Sequence, residues 1–213
     1  MVFGSNDWNK YFDYLSKWEG GKSANASDTA STQVKSGQIH TNRGITWQTW
    51  QYYAPKLKID PNRDNFEAMD KKTASNIAFL YFADSGASLL KNTNISLLFF
   101  EIAWGSGTAY AVSHLKAALN NLGLIKKTDK LSFSELAKIA NSANQQNLYN
   151  ELLKVRTGFY KQIVINNPSQ KVFLQGWLNR LADFKNNFGV AAAGGSVLLV
   201  GTLFFLIYKI YNK

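Results

Sequence analysis

The chain contains no cysteine, and its 213 residues include only two histidines, His40 and His114. Without cysteine there is no disulfide, no thiol nucleophile and no thiolate metal ligand, and two histidines far apart in sequence do not suggest a metal cluster. No metal and no cofactor is expected, and the chemistry is left to carboxylates and hydroxyls. No internal repeat or low-complexity linker divides the chain. The N-terminal text MVFGSNDWNKYF lacks a basic region followed by an apolar one, so no secretory signal is expected. Negative charge is scarce: 14 acidic residues stand against 24 basic ones, for a net charge of +10. That balance favours an anionic partner such as nucleic acid, anionic lipid or an acidic wall polymer. The basic residues are scattered and form no recognisable nucleic-acid motif, so no nucleic acid is expected.

Helical patterning is what the chain has in quantity, within an apolar content of 46% that fits a globular class. In WNKYFDYLSKWEGGKSANASD the residues Trp8, Tyr11, Phe12, Leu15, Trp18 and Glu19 fall on one helical face. A helix capped by Asn6 or Asp7 and closed by left-handed Gly20 and Gly21 would leave Glu19 in its last turn, pointing inward. Apolar neighbours and the negative end of the helix dipole would both favour the neutral, proton-donating carboxyl. The polar stretch that follows reads as a short hairpin or flexible lobe, with Val34 and Ile39 flanking a KSGQ turn. Thr46 is placed to cap a helix that stops before Pro55 and exposes Trp47 and Trp50. Further helices are expected after Asp70, on either side of Gly105 and Gly107, after Ser132, through LYNELLKVRTGFYKQIV, and from Pro168. From Phe188 to Tyr208 the text FGVAAAGGSVLLVGTLFFLIY carries no charge and is long enough to cross about 30 Å of hydrocarbon as a helix. Its small residues, Ala191 to Gly195, suit close helix contact and self-association in a bilayer.

Glu19 and Asp28 could face each other across a groove. Two carboxylates in unlike environments are what glycoside hydrolysis uses, one giving a proton to the leaving oxygen and one activating water or steadying positive charge. By spacing alone, such a pair is more often two solvated side chains.

The motifs resemble those of the lysozyme-like glycoside hydrolase family 108. Glu19, Gly20 and Gly21 form its EGG element, followed by a polar run, Asp28, and then Thr41, Gly44, Ile45 and Thr46 in IHTNRGIT. FFEIAWGSGTAYAVSHLKAAL is similar to the family's second half, described as peptidoglycan-binding, and RTGFYKQIVINNPSQKVFLQGWLNR to its terminal signature. This chain departs from the pattern by extra residues between Asp28 and Thr41, and by Glu101 and Gly105 where Asp and Asn are usual. The resemblance implies a mainly helical, α+β lysozyme-like fold and N-acetylmuramidase activity on bacterial peptidoglycan. It further implies Glu19 as general acid, Asp28 as second carboxylate and Thr41 as holder of the attacking water. Trp47, Trp50, Glu101 and Trp104 are the candidate substrate contacts, each with a competing reading as core packing or a satisfied buried acid.

The expected organisation is a muramidase domain over residues 1–187, with a catalytic half to about 92 and a binding-like half over 93–187. A single-pass transmembrane helix follows at 188–208, then a short basic tail at 209–213. The expected setting is the host inner membrane or an internal virion membrane, for phage lysis or wall penetration, with the bilayer and peptidoglycan as partners. The rival readings are a lytic transglycosylase on the same fold and a non-catalytic wall-binding or virion structural protein.

Overall fold

A computed structural model describes residues 5–25 and 29–189. The chain divides into two compact units, the first ending at Asp84 and the second beginning at Ser85; the expected division lay near residue 92.

The first unit opens with α1 (Ser5–Trp18), which begins before the expected cap. Trp8, Tyr11, Phe12 and Leu15 are buried, as the helical spacing required, and Tyr14 joins them. Trp8 docks α1 on α4 (Lys71–Asp84): its ring meets Phe79 edge-on at 5.0 Å and its indole N–H donates to Ser75 Oγ at 3.0 Å. Between these helices lie three two-residue strands, β1 (Lys22–Ser23), β2 (Thr41–Asn42) and β3 (Ile45–Thr46), paired antiparallel in chain order. Then come α2 (Trp47–Tyr53) and the short α3 (Arg63–Glu67). Thr46 caps α2 as expected, its hydroxyl accepting from Thr49 N–H at 3.2 Å. Asp70 does the same for α4 through Thr73 N–H at 2.7 Å, and this bond holds its carboxyl below the usual range.

One expectation is corrected here. The KSGQ turn forms, with Gln38 N–H donating to Lys35 O at 3.0 Å and Gly37 at positive φ, inside the segment that joins the antiparallel pair β1–β2, but Val34 and Ile39 beside it are not in strands. Residues Thr29–Gln33 form a 3-10 helix within that long connection, and the tight two-residue hairpin is β2–β3. The flanking Val34 and Ile39 are single apolar residues without the alternation a half-buried strand needs.

The second unit is helical: α5 (Thr93–Ser106), α6 (Thr108–Asn121), α7 (Phe133–Ser142), α8 (Gln145–Asn166) and α9 (Lys171–Phe188). Every residue of α5 from Ile95 to Ala103 is buried, as befits a helix apolar on all sides, and α6, α8 and α9 pack around it. Gly107, at φ 90°, separates α5 from α6, whereas Gly105 stays inside α5. A methyl group on Gly105 would lie 3.2 Å from Arg156 Nη2, so this glycine makes room for a buried guanidinium. Ser132 and Glu135 form a reciprocal capping box at the start of α7.

No helix among the described residues is long and apolar enough to cross a membrane. The expected span lies outside the described residues apart from its first two positions. Those two belong elsewhere: Phe188 is buried against Phe184 at the end of α9, and Gly189 O accepts from Asn94 Nδ2 at 3.0 Å.

Candidate active site

The last helical bond of α1 is the donation from Glu19 N–H to Leu15 O at 3.0 Å, which sets Glu19 one position past the helix and half-buried. Gly20 and Gly21 do not close the helix in the left-handed conformation, since neither has a positive φ. A Cβ at either would meet nothing within 4 Å, so neither glycine is required by close packing.

One flank of Glu19 is filled by the β2–β3 turn. Asn42 pairs with Ile45, leaving Arg43 (φ 52°) and Gly44 (φ 78°) as a two-residue connection with positive φ at both positions, which a type I′ hairpin requires. Gly44 lies directly on the Glu19 side chain. A methyl group there would stand 2.8 Å from Cγ and Oε2 and 2.9 Å from Cδ. The absence of a Cβ is what lets the turn approach the carboxyl.

Four contacts hold the turn. Arg43 N–H donates to Gly21 O at 3.3 Å, and Ser23 pairs with Thr41, which zips the hairpin to the segment leading out of Glu19. Asn42, almost fully buried, donates from Nδ2 to Phe66 O at 2.7 Å. Arg43 Nε donates to Met69 O at 3.1 Å. Because alternate strand residues face opposite ways, an inward Asn42 turns Thr41 to the other face, where it is half-buried. Thr41 Oγ1 lies 2.9 Å from Nδ1 of the fully buried His40.

The other candidates separate. Asp28 lies outside the described residues. Trp50 is 1% exposed and packs on Phe66, so its ring faces lie in the core and not where a sugar could stack. Trp47 is half-buried, with Phe66 at its edge and the Arg63 guanidinium 3.8 Å over its face. Glu101 and Trp104 belong to the second unit. Glu101 is 5% exposed and accepts a hydrogen bond from Arg180 Nε, the pairing a buried carboxylate requires. Trp104 is half-buried and meets Phe100 edge-on at 5.8 Å. Near Glu101, Arg156 donates from Nη1 to Ser106 Oγ at 2.9 Å and stacks over Tyr160 at 4.4 Å. Burial, reinforced by the Arg156 charge, pushes His114 down to about 4. Among the described residues no group of three or more His, Asp or Glu converges as metal ligands do.

Comparison with known proteins bears on this arrangement. Residues 12–107 match the glycosyl hydrolase 108 family. That segment belongs to the family, and the chain is a glycoside hydrolase. No curated protein matches the chain. The SagA structure from Brucella abortus superposes with a TM-score of 0.62 at 18% identity, covering 89% of this chain and 99% of that one, a likeness of fold. The glycosyl hydrolase 108 segment runs from α1 to Gly107, where α5 gives way to α6, and contains Glu19, Thr41 and Gly44.

His40, Asn42 and Arg43 are the residues of this site that sequence reasoning does not single out. Their roles depend on contacts with residues up to 26 positions away, as between Arg43 and Met69. The setting of Glu19 yields a specific expectation for Gly44→Ala. The positive φ costs about 1–2 kcal/mol of stability, while displacement of the Glu19 carboxyl lowers kcat about 100-fold. Thermal melting and wall-hydrolysis rates measured together check both; a normal kcat would show that the turn does not position the carboxyl.

Proposed function

We propose that this glycoside hydrolase is a muramidase that cleaves the bond from N-acetylmuramic acid to N-acetylglucosamine in peptidoglycan, with Glu19 as general acid. The observation that carries the reading is the seating of the Glu19 side chain against Gly44, inside the family segment. In its protonated form Glu19 gives its proton to the glycosidic oxygen as that bond breaks, and Thr41 holds the water that attacks the sugar carbon. Asp28 is retained as the second carboxylate on the strength of its place in the motif. The net charge of +10 suits a polymer bearing carboxylates.

The uncharged run beyond Gly189 is proposed to be a single transmembrane helix that ties the enzyme to a bilayer. Its small residues at 191–195 suit pairing with another helix. Such an anchored muramidase suits phage lysis or penetration of the host wall. Phe188 and Gly189 belong to the folded unit, so the span starts at residue 190 or later.

Glu19→Gln fills the same space without a transferable proton. The variant is expected to fold normally and to lose at least about 100-fold of its rate on purified cell wall; near-normal lysis in a zymogram would end the assignment. The full-length protein is expected to stay with membranes through high-salt and carbonate washes, as a spanning helix does. Its release by either wash would sink the anchor.

A further inference from the structure

We propose that His40 is a positioning residue that commits the Thr41 hydroxyl proton inward, so that Thr41 can only accept a hydrogen bond from the attacking water. The inference rests on the reading of Thr41 given above.

His40 has no exposed surface, and its backbone is fixed on both sides: its N–H donates to Ser23 O at 2.9 Å and its carbonyl accepts from Trp47 N–H at 2.8 Å. The ring is therefore held in place. Its Nε2 lies 3.1 Å from Asn25 O and 3.5 Å from Ser23 Oγ, and its Nδ1 lies 2.9 Å from Thr41 Oγ1. A carbonyl oxygen can only accept, so the ring proton sits on Nε2 and is directed at Asn25 O. In the neutral ring that leaves Nδ1 as an acceptor. The short contact to Thr41 must then be made by the Thr41 hydroxyl proton, the one proton that group has.

The consequence is directional. With its proton spent on His40, Thr41 Oγ1 offers only lone pairs to anything else. A water bound there must donate an O–H to Thr41, which leaves the water's own lone pairs available for the sugar carbon. A hydroxyl free to rotate could instead donate to that water and occupy the lone pair needed for attack. His40 thus sets the polarity of the water-holding group without touching the substrate.

Two amide substitutions separate this role from simple packing. His40→Asn places a side-chain oxygen near the Nδ1 position and can still accept from Thr41, but loses the bond to Asn25 O. His40→Gln places an amide N–H near the Nε2 position and can keep the Asn25 bond, but offers Thr41 no acceptor. If polarity matters, His40→Gln melts close to wild type and loses about 10- to 100-fold in kcat at unchanged KM, while His40→Asn keeps kcat within about threefold despite a larger loss of stability. Normal kcat in His40→Gln, or an equal fall in both variants, overturns the inference. Thr41→Val separates this from failure of the underlying reading. If Thr41→Val is fully active, the assignment of Thr41 itself is wrong; if it is impaired while His40→Gln is active, only the role of His40 is wrong. The wild-type protein supplies a test that needs no variant to fold. The ring nitrogen chemical shifts of His40 in a 15N-labelled sample should show the Nε2–H tautomer, and a proton on Nδ1 would overturn the inference.

Discussion

The contact between Gly44 and the Glu19 side chain is the constraint around which the first unit is arranged. It requires a backbone with no Cβ, at positive φ, delivered to the end of α1 by a hairpin with no freedom to slide. Strands of two residues cannot supply that rigidity alone. The turn is instead anchored through Asn42 to Phe66 O and through Arg43 to Met69 O, both on or just beyond α3. Arg43 in the left-handed region costs about 1–2 kcal/mol, and a side-chain bond such as that to Met69 O returns about 1 kcal/mol. The two nearly cancel, so the hairpin's net hold comes from the buried amide of Asn42 together with the pairing to the Gly21–Ser23 segment. Thr46 then closes β3 and caps α2, whose Trp50 fills the core against Phe66.

The second unit solves a different problem. Its central helix, α5, is buried along nine consecutive positions, and one of them, Glu101, is a carboxylate. Half-buried Arg180 of α9 supplies the counter-charge, and the buried guanidinium of Arg156, on α8, meets Ser106 and the face of Tyr160. Gly105 belongs to this network by leaving space for Arg156. These charged groups tie three helices together. A carboxylate engaged in this way is explained by the burial of its helix and needs no substrate to account for it.

How much of this the sequence discloses depends on whether a residue's role is local. Thr46, Asp70 and Ser132 cap helices through bonds three residues away, and each was legible from its position before an apolar periodic run. The buried face of α1 was legible for the same reason. The KSGQ turn is legible and real, yet strand pairing depends on what lies opposite, and Ser23 has Thr41 opposite it, so the paired residues lie well outside Val34 and Ile39. Sequence leaves Trp50 open between a sugar-facing ring and core packing, and its burial against Phe66 decides for the core. Gly20, Gly21 and Gly44 all stand out as motif glycines, but their geometries differ. Only Gly44 has positive φ and a close neighbour, while a Cβ at either of the other two would meet nothing. His40 was invisible as a site residue because its partners, Asn25 and Ser23, reach it only through the fold.

The account rests on water attacking a glycosidic bond whose leaving oxygen takes its proton from Glu19. Digestion of purified peptidoglycan in water enriched in oxygen-18, followed by mass spectrometry of the released fragments, tests this most directly. Every new reducing muramic end should carry one heavy oxygen from solvent. Anhydromuramic ends without the label would mean that a substrate hydroxyl attacks in place of water, and the account would be contradicted.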